Sequence, residues 1–177
     1  MIISICGIEG SFAEMAAQKA FSEDIKIVYC TSFEDALNSV KEKRSDCAAV
    51  PVKTSNSGDV TEVMKLLKSG DWNVKSTYKL HTHHCLLALK GEQIKTVNTV
   101  CSHPKALQEC SMFLRNMNVS LEEYFNTAAG ARYIAENKQK HTAAIASKRA
   151  AQLYGLEILA ENIENDNDYT IFYIVGY

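Results

Sequence analysis

Proline is almost absent from this sequence: two residues in 177, Pro51 and Pro104. No Pro/Gly/Ser linker divides the chain, and it carries neither a low-complexity tract nor a repeat of fixed period. Long apolar runs are missing too. The longest are short, such as Cys85–Leu89, whereas crossing a bilayer takes about 20 residues. No membrane partner is therefore expected. A basic excess is also lacking, with 19 Lys and Arg against 21 Asp and Glu and a net charge of −2, which argues against a nucleic-acid partner. Six cysteines are present, at 6, 30, 47, 85, 101 and 110, but none forms a C-x-x-C pair and no zinc spacing appears. They read as buried, reduced thiols, suited to a cytoplasmic compartment. The N-terminus, Met1–Cys6, has no basic n-region and no small-residue cleavage site, and reads as a first strand rather than a signal peptide. Phosphate-loop, dinucleotide and nucleophile-elbow motifs are all absent.

What is there is an ordinary globular composition, 46% hydrophobic and 23% charged. At roughly 150 residues per domain, the length fits one domain or two small lobes. A chain of this size buries roughly 70% of its unfolded surface and needs no disulfide or metal to fold. Strand-like and helix-like patterns alternate along it. Ile2–Cys6 is followed by a Gly7–Gly10 turn. Ser11 with Glu14 then forms a capping-box spacing ahead of a helix to about Phe21. Strand Lys26–Tyr29, helix Phe33–Lys43 and strand Cys47–Val52 follow, then a helix at Val60–Leu67. Strands are expected at Val74–Leu80, His83–Leu89 and Thr96–Ser102, and a helix from His103-Pro104 to Leu114. Val119–Phe125 is ambiguous. Helix Thr127–Glu136, strand Ala143–Ser147, helix Lys148–Tyr154 and strands Glu157–Ile163 and Thr170–Tyr177 complete the chain. The order predicts an α/β protein with mainly parallel sheets, with chain crossings between two lobes near 76–80 and 156–163. Phe33, Ala36, Leu37 and Val40, with Met112 and Phe113, are expected in cores.

Three strand-to-helix turns, Gly7–Phe12, Ser102–Ala106 and Asn126–Ala131, offer helix N-termini suited to an anion. His81-x-His83-His84 has no evident carboxylate or thiol partner, so it reads as surface or pocket histidines, and no metal is expected. Glu161, Glu164, Asp166 and Asp168 read as a solvated acidic loop.

Taken in order, a set of segments resembles the prephenate dehydratase family over nearly the whole chain, Ile3 to Val175. Gly7-Ile8-Glu9-Gly10-Ser11-Phe12 is similar to G-P-x-G-[ST]-[FY]. Val50-Pro51-Val52-Lys53-Thr54-Ser55 is similar to V-P-[IV]-E-N-S, and His84-Cys85-Leu86-Leu87 to H-x-L-L. Ser102-His103-Pro104-Lys105-Ala106-Leu107-Gln108-Glu109-Cys110 is the most specific match, to S-H-P-Q-A-L-x-Q-C. Asn126-Thr127-Ala128 stands for S-T-A, and Thr170-Ile171-Phe172 for T-R-F. The resemblance implies an α/β, two-lobed fold like type II periplasmic binding proteins, with a ligand cleft between the lobes. Lobe 1 would hold residues 1–76 and 160–177, and lobe 2 residues 77–159. The implied activity is a carbon–oxygen lyase of phenylalanine biosynthesis, converting prephenate to phenylpyruvate with loss of water and carbon dioxide. It uses no cofactor, and a homodimer and a small dicarboxylate partner are implied with it. An ACT regulatory domain is not expected, because the chain ends five residues after Phe172.

The resemblance assigns Thr170 the catalytic role, hydrogen-bonding or protonating the departing hydroxyl. Substrate-binding positions carry over to Ser11, Lys53, Thr54, Ser55, Asn126, Thr127, Ile171 and Phe172. Several depart from the family pattern. Ile171 replaces an arginine whose guanidinium grips a carboxylate with two bonds. Lys53 and Thr54 replace a glutamate and an asparagine, Asn126 a serine, and Ile8 a proline. Lys53 brings a cation where the family has an anion and is a candidate substitute for the lost arginine. Two alternatives stand beside the dehydratase: a prephenate decarboxylase-like enzyme giving a non-aromatic product, and a non-catalytic small-anion binder.

Overall fold

The computed structural model describes residues 1–21 and 24–177. The chain divides into two compact units, Met1–His81 with Asp168–Tyr177, and Thr82–Asn167. It opens with β1 (Ile2–Cys6), α1 (Phe12–Ala20), β2 (Lys26–Cys30), α2 (Phe33–Lys41), β3 (Cys47–Thr54), β4 (Gly58–Asp59), α3 (Thr61–Lys68) and β5 (Asn73–His81). The second unit follows as β6 (Cys85–Ala88), a 3₁₀ turn at Ile94–Thr96, β7 (Thr99–Ser102), α4 (Pro104–Glu109), α5 (Ser111–Leu114), β8 (Ser120–Glu123), α6 (Thr127–Asn137), β9 (Thr142–Ala146), α7 (Lys148–Tyr154) and β10 (Glu157–Ala160). The chain then returns to the first unit as β11 (Tyr169–Gly176). The crossings fall at His81–Thr82 and Asn167–Asp168. Residues 77–81 stay with the first unit because Tyr169 and Thr170 pair with His81 and Leu80.

The first unit is a sheet ordered β2-β1-β3-β11-β5, with β4 against β3. Its centre, β3, is buried on both faces, as a strand covered by helices on each side requires. One face carries Ile3, Ile5, Ala49 and Ile174 against α1, with Leu80 and Phe172 meeting Ala16 and Phe12. The other carries Val50, Val52 and Val175 against Leu37 and Val40 of α2 and Val63 of α3. The second unit is a sheet ordered β10-β6-β9-β7-β8. Leu86, Val100 and Ile145 face Leu107 of α4, Cys110 at the break between the helices and Leu114 of α5, whereas Leu87, Cys101 and Ala144 face α6 and α7.

Both sheets are mixed, not mainly parallel as the element order suggests. β1, β2 and β3 run parallel, but β11 is antiparallel to β3 and β5. In the second unit β7 is parallel to β8 and β9, while β6 is antiparallel to β9 and β10. The cause is the excursion: a chain that leaves one sheet and returns through the other need not supply a right-handed crossover at every step. Three local expectations also change. The Pro104–Leu114 helix breaks at Cys110 into α4 and α5. Residues Ile94–Thr96 form a 3₁₀ turn before β7. Met112 is exposed instead of buried. Among the described residues, no helix is long and apolar enough to cross a membrane.

Candidate functional site

The carboxyl ends of β1 and β3 and the start of β11 meet at one end of the first unit's sheet. Residues there do not follow simple alternation. On β3, Ile171 pairs with Lys53 but Phe172 pairs with Pro51, so Val52 is one residue extra. Such a bulge reverses the facing of everything beyond it. It brings Thr54 directly opposite Thr170, and Thr170 shares its face with Phe172, the face that α1 covers. Ile171 points the other way, into the cluster of Val52, Val63 and Val60. Lys53 is exposed and lies across the ladder from Ile171. Directly opposed residues have Cβ atoms about 5 Å apart, so the cation at 53 stands one strand spacing from the position of the family arginine.

The loop beyond β3 is held by hydroxyls. Thr54 Oγ1 accepts from the Ser57 N–H at 3.2 Å, and the Thr54 and Ser57 hydroxyls are bonded at 3.2 Å. Ser55 donates its hydroxyl to Asp168. Its Oγ accepts from the Tyr169 N–H at 3.1 Å. Lys79 lies over the Tyr169 ring, 3.9 Å from its centroid. Ser11 caps α1, its Oγ accepting from the Glu14 N–H at 3.3 Å. Glu14 does not close a standard capping box: its buried carboxylate takes the Gly10 N–H, and the Ser11 N–H donates to the Ile8 carbonyl at 3.1 Å.

In the second unit, Asn126 caps α6, with Oδ1 accepting from the Ala128 N–H at 2.8 Å. Thr127 begins that helix and is half-buried. α6 lies close on β7: a Cβ on Gly130 would stand 3.1 Å from Cys101 Sγ. His103 caps α4, its Nδ1 accepting from the Lys105 N–H at 3.2 Å. Burial, then the Lys105 charge, hold its pKa below the usual histidine value. The histidine run does have carboxylate partners. His83 Nδ1 is 3.0 Å from Glu164, and His84 Nε2 is 3.2 Å from the buried Glu109. Four of the thiols are poor nucleophiles. Burial raises Cys6 and Cys85, moves Cys30 up to about 11, and moves Cys101 up to about 12.

The first unit thus gathers Ser11, Lys53, Thr54, Ser55, Thr170, Ile171 and Phe172, and the second unit carries Asn126 and Thr127. Sequence reasoning missed Asp168. It belongs to no solvated loop: it is buried and bonded to Ser55 and Asn56. Glu164 likewise turns inward, accepting from the His84 N–H at 2.9 Å. Only Glu161 and Asp166 of that acidic run are exposed. The missed signal was periodicity, since Asp168, Thr170 and Phe172 are two apart, the spacing of one strand face, although the strand itself begins at Tyr169.

The prephenate dehydratase family model matches residues 3–177. The chain belongs to the prephenate dehydratase family. It is 39% identical over 163 residues to arogenate dehydratase 1 of Petunia hybrida, covering 91% of this chain and 38% of that protein. The chain therefore spans well under half the length of that family member. Among solved structures, prephenate dehydratase from Arthrobacter aurescens in complex with L-Phe is similar with a TM-score of 0.92 and 25% identity, over 99% of this chain and 60% of that one. A structure described as GqqA, a novel type of quorum quenching acylase, has a TM-score of 0.89 and 27% identity, over 99% and 64%. The ligand-binding component of an ABC-type import system from Staphylococcus aureus shares the fold alone, with a TM-score of 0.52 and 14% identity over 99% and 65%. The α/β fold, two-lobed and periplasmic-binding-protein-like, is thus that of the family.

Proposed function

We propose that this member of the prephenate dehydratase family is a carbon–oxygen lyase acting on prephenate. The observation that carries the reading is the bulge in β3, which sets Thr54 opposite Thr170 at the end of the sheet where the family motifs converge. The reaction needs one proton and no redox partner. The ring carboxylate leaves as carbon dioxide, and the electron pair of the broken C–C bond moves through the diene. The C–O bond at the far side of the ring then breaks, and Thr170 Oγ donates a hydrogen bond and passes a proton to the departing hydroxyl, which leaves as water, while Oγ regains a proton from solvent. Phenylpyruvate remains. The ring becomes aromatic, which supplies the driving force.

On the first unit, Ser11 and Thr54 supply neutral hydrogen-bonding groups for the substrate. Lys53 supplies the cation. A lysine offers a point charge and no fork, so it neutralises a carboxylate without fixing its plane. Ile171 leaves the arginine position apolar, and Phe172 anchors the strand beneath Thr170. Arogenate, prephenate's amino-acid counterpart, is the second substrate of this reading, since the Petunia hybrida relative is named for it.

The test is to incubate the purified protein with prephenate, and separately with arogenate, at neutral pH and follow the products by NMR against a no-enzyme control and a Thr170→Ala variant. Phenylpyruvate from prephenate, or phenylalanine from arogenate, lost in the variant, is the expected result. A non-aromatic decarboxylated product would move the protein to the decarboxylase branch. Intact substrate whose signals broaden on adding protein would replace catalysis with anion binding.

A further inference from the structure

Asp168 is a buried carboxylate, 2% exposed, immediately before β11. Burying a carboxylate is unfavourable unless hydrogen bonds satisfy it. Here the Ser55 hydroxyl and the Asn56 side-chain amide both donate to Oδ1, the latter at 3.3 Å. Ser55 in turn clasps Tyr169 twice. Its Oγ accepts from the Tyr169 N–H at 3.1 Å, and its own N–H donates to the Tyr169 carbonyl at 3.0 Å.

We propose that Asp168 is a positioning residue that fixes the Thr170 hydroxyl by way of Ser55. A serine hydroxyl has one proton and otherwise rotates freely. Asp168 takes that proton, which aims a Ser55 lone pair at the Tyr169 N–H. The clasp sits one residue beyond the Thr54–Thr170 pair, where an antiparallel ladder ends and would fray. Asp168 therefore acts on the reacting end through two hydrogen bonds. It does not touch the substrate in this assignment, and it lies outside the T-R-F and V-P-x-E-N-S segments. The inference rests on the reading of Thr170 as proton donor.

The experiment compares Ser55→Ala, Asp168→Ala, Asp168→Asn and the Ser55→Ala/Asp168→Ala double variant with the parent protein. Prephenate turnover and backbone amide exchange by NMR are both recorded. Asp168→Ala is expected to lower kcat by about 100-fold, the loss typical of a slightly misplaced group, with KM changed by less than about threefold. Asp168→Asn keeps an acceptor for Ser55 and is expected to stay within about tenfold of the parent. The double variant is expected to be no slower than Asp168→Ala, since both changes break one chain of bonds. The Ser55 and Tyr169 amides are expected to exchange faster in Asp168→Ala while those of β1 and β2 do not change. Additive losses, an unaffected kcat, or loss of protection throughout the first unit would each overturn the proposal. If the parent protein yields no product, the functional reading fails. The amide arm still decides the clasp, because unaltered exchange at Ser55 and Tyr169 would overturn it alone.

Discussion

The two units are built on similar sheets but hold their ends in different ways. The first unit ends β3 and β11 in side-chain hydrogen bonds: Thr54 to Ser57, Ser55 to Asp168, Ser55 to Tyr169. The second unit has one such bond at the end of β7, from the Ser102 hydroxyl to the Ile145 carbonyl of β9 at 2.6 Å, and otherwise ends β7 and β9 in small residues and capped helices, with Gly130 against Cys101, and Asn126 and Ser147 capping α6 and α7. Polar clasps fix the direction of individual hydroxyl groups. Close packing fixes only where a helix begins. On the proposed lyase reading, the proton chemistry belongs with the clasped hydroxyls of the first unit.

The sharpest way to break this division is through the two threonines. Thr170→Ala is expected to cost about 100-fold or more in kcat, the scale of a lost general acid, whereas Thr127→Ala is expected to change mainly KM. Steady-state kinetics on both variants checks it, and equal effects would erase the contrast. Next in size is Gly130→Val. Its side chain must enter space within van der Waals reach of the Cys101 sulfur and carbonyl, an overpacking expected to cost about 1–3 kcal/mol. Urea denaturation reads it, and an unchanged midpoint would show that α6 can move off the sheet freely. Asn126→Ala is smaller, expected to cost about 1 kcal/mol for the lost helix cap, visible as a lower melting temperature.

A further test uses pH. His103 is neutral in its cap, with its folded pKa lowered by burial and then by Lys105. The unfolded chain therefore takes up the proton first as pH falls. This contribution to stability is fully present above the ordinary histidine value of about 6.5 and declines as pH drops below it toward the folded value. A His103→Asn variant keeps a capping oxygen and has no such titration. The parent is expected to lose more stability than the variant between pH 7.5 and 5.5, measured by denaturant midpoints. The smallest expected effect concerns Lys53→Ala, a loss of roughly tenfold or less in substrate affinity. An exposed charge interacts through water, where a pair is worth about 1 kcal/mol.

Much of the fold was legible in the sequence because helix and strand periods alternate cleanly. Ser11, read as a helix start from its spacing to Glu14, acts as an N-cap in the structure. Sheet direction was not legible. Nothing local to residues 157–177 marks them as antiparallel, because direction is set by which neighbour a strand meets after the chain has left and returned. Several of the segments that resemble the family fall at one end of the first unit's sheet, but two features were not legible in the sequence. Asp168 reads as surface by charge alone, and only its spacing to Thr170 hints otherwise. The carboxylates beside His83 and His84 are Glu164 and Glu109, 81 and 25 residues away in sequence, distances at which no spacing rule operates.

The extra residue at Val52 has a consequence for how this chain can change over time. Substitutions along β3 exchange one side chain for another and leave the rest in place. The ladder is in register on both sides of Val52, with Pro51 opposite Phe172 and Lys53 opposite Ile171. Deleting Val52 alone would straighten the strand and keep Thr54 opposite Thr170, while removing one apolar side chain from the core beside Val50 and Val63. A one-codon loss at 52 is therefore a packing change, and the pairing of the two threonines survives it.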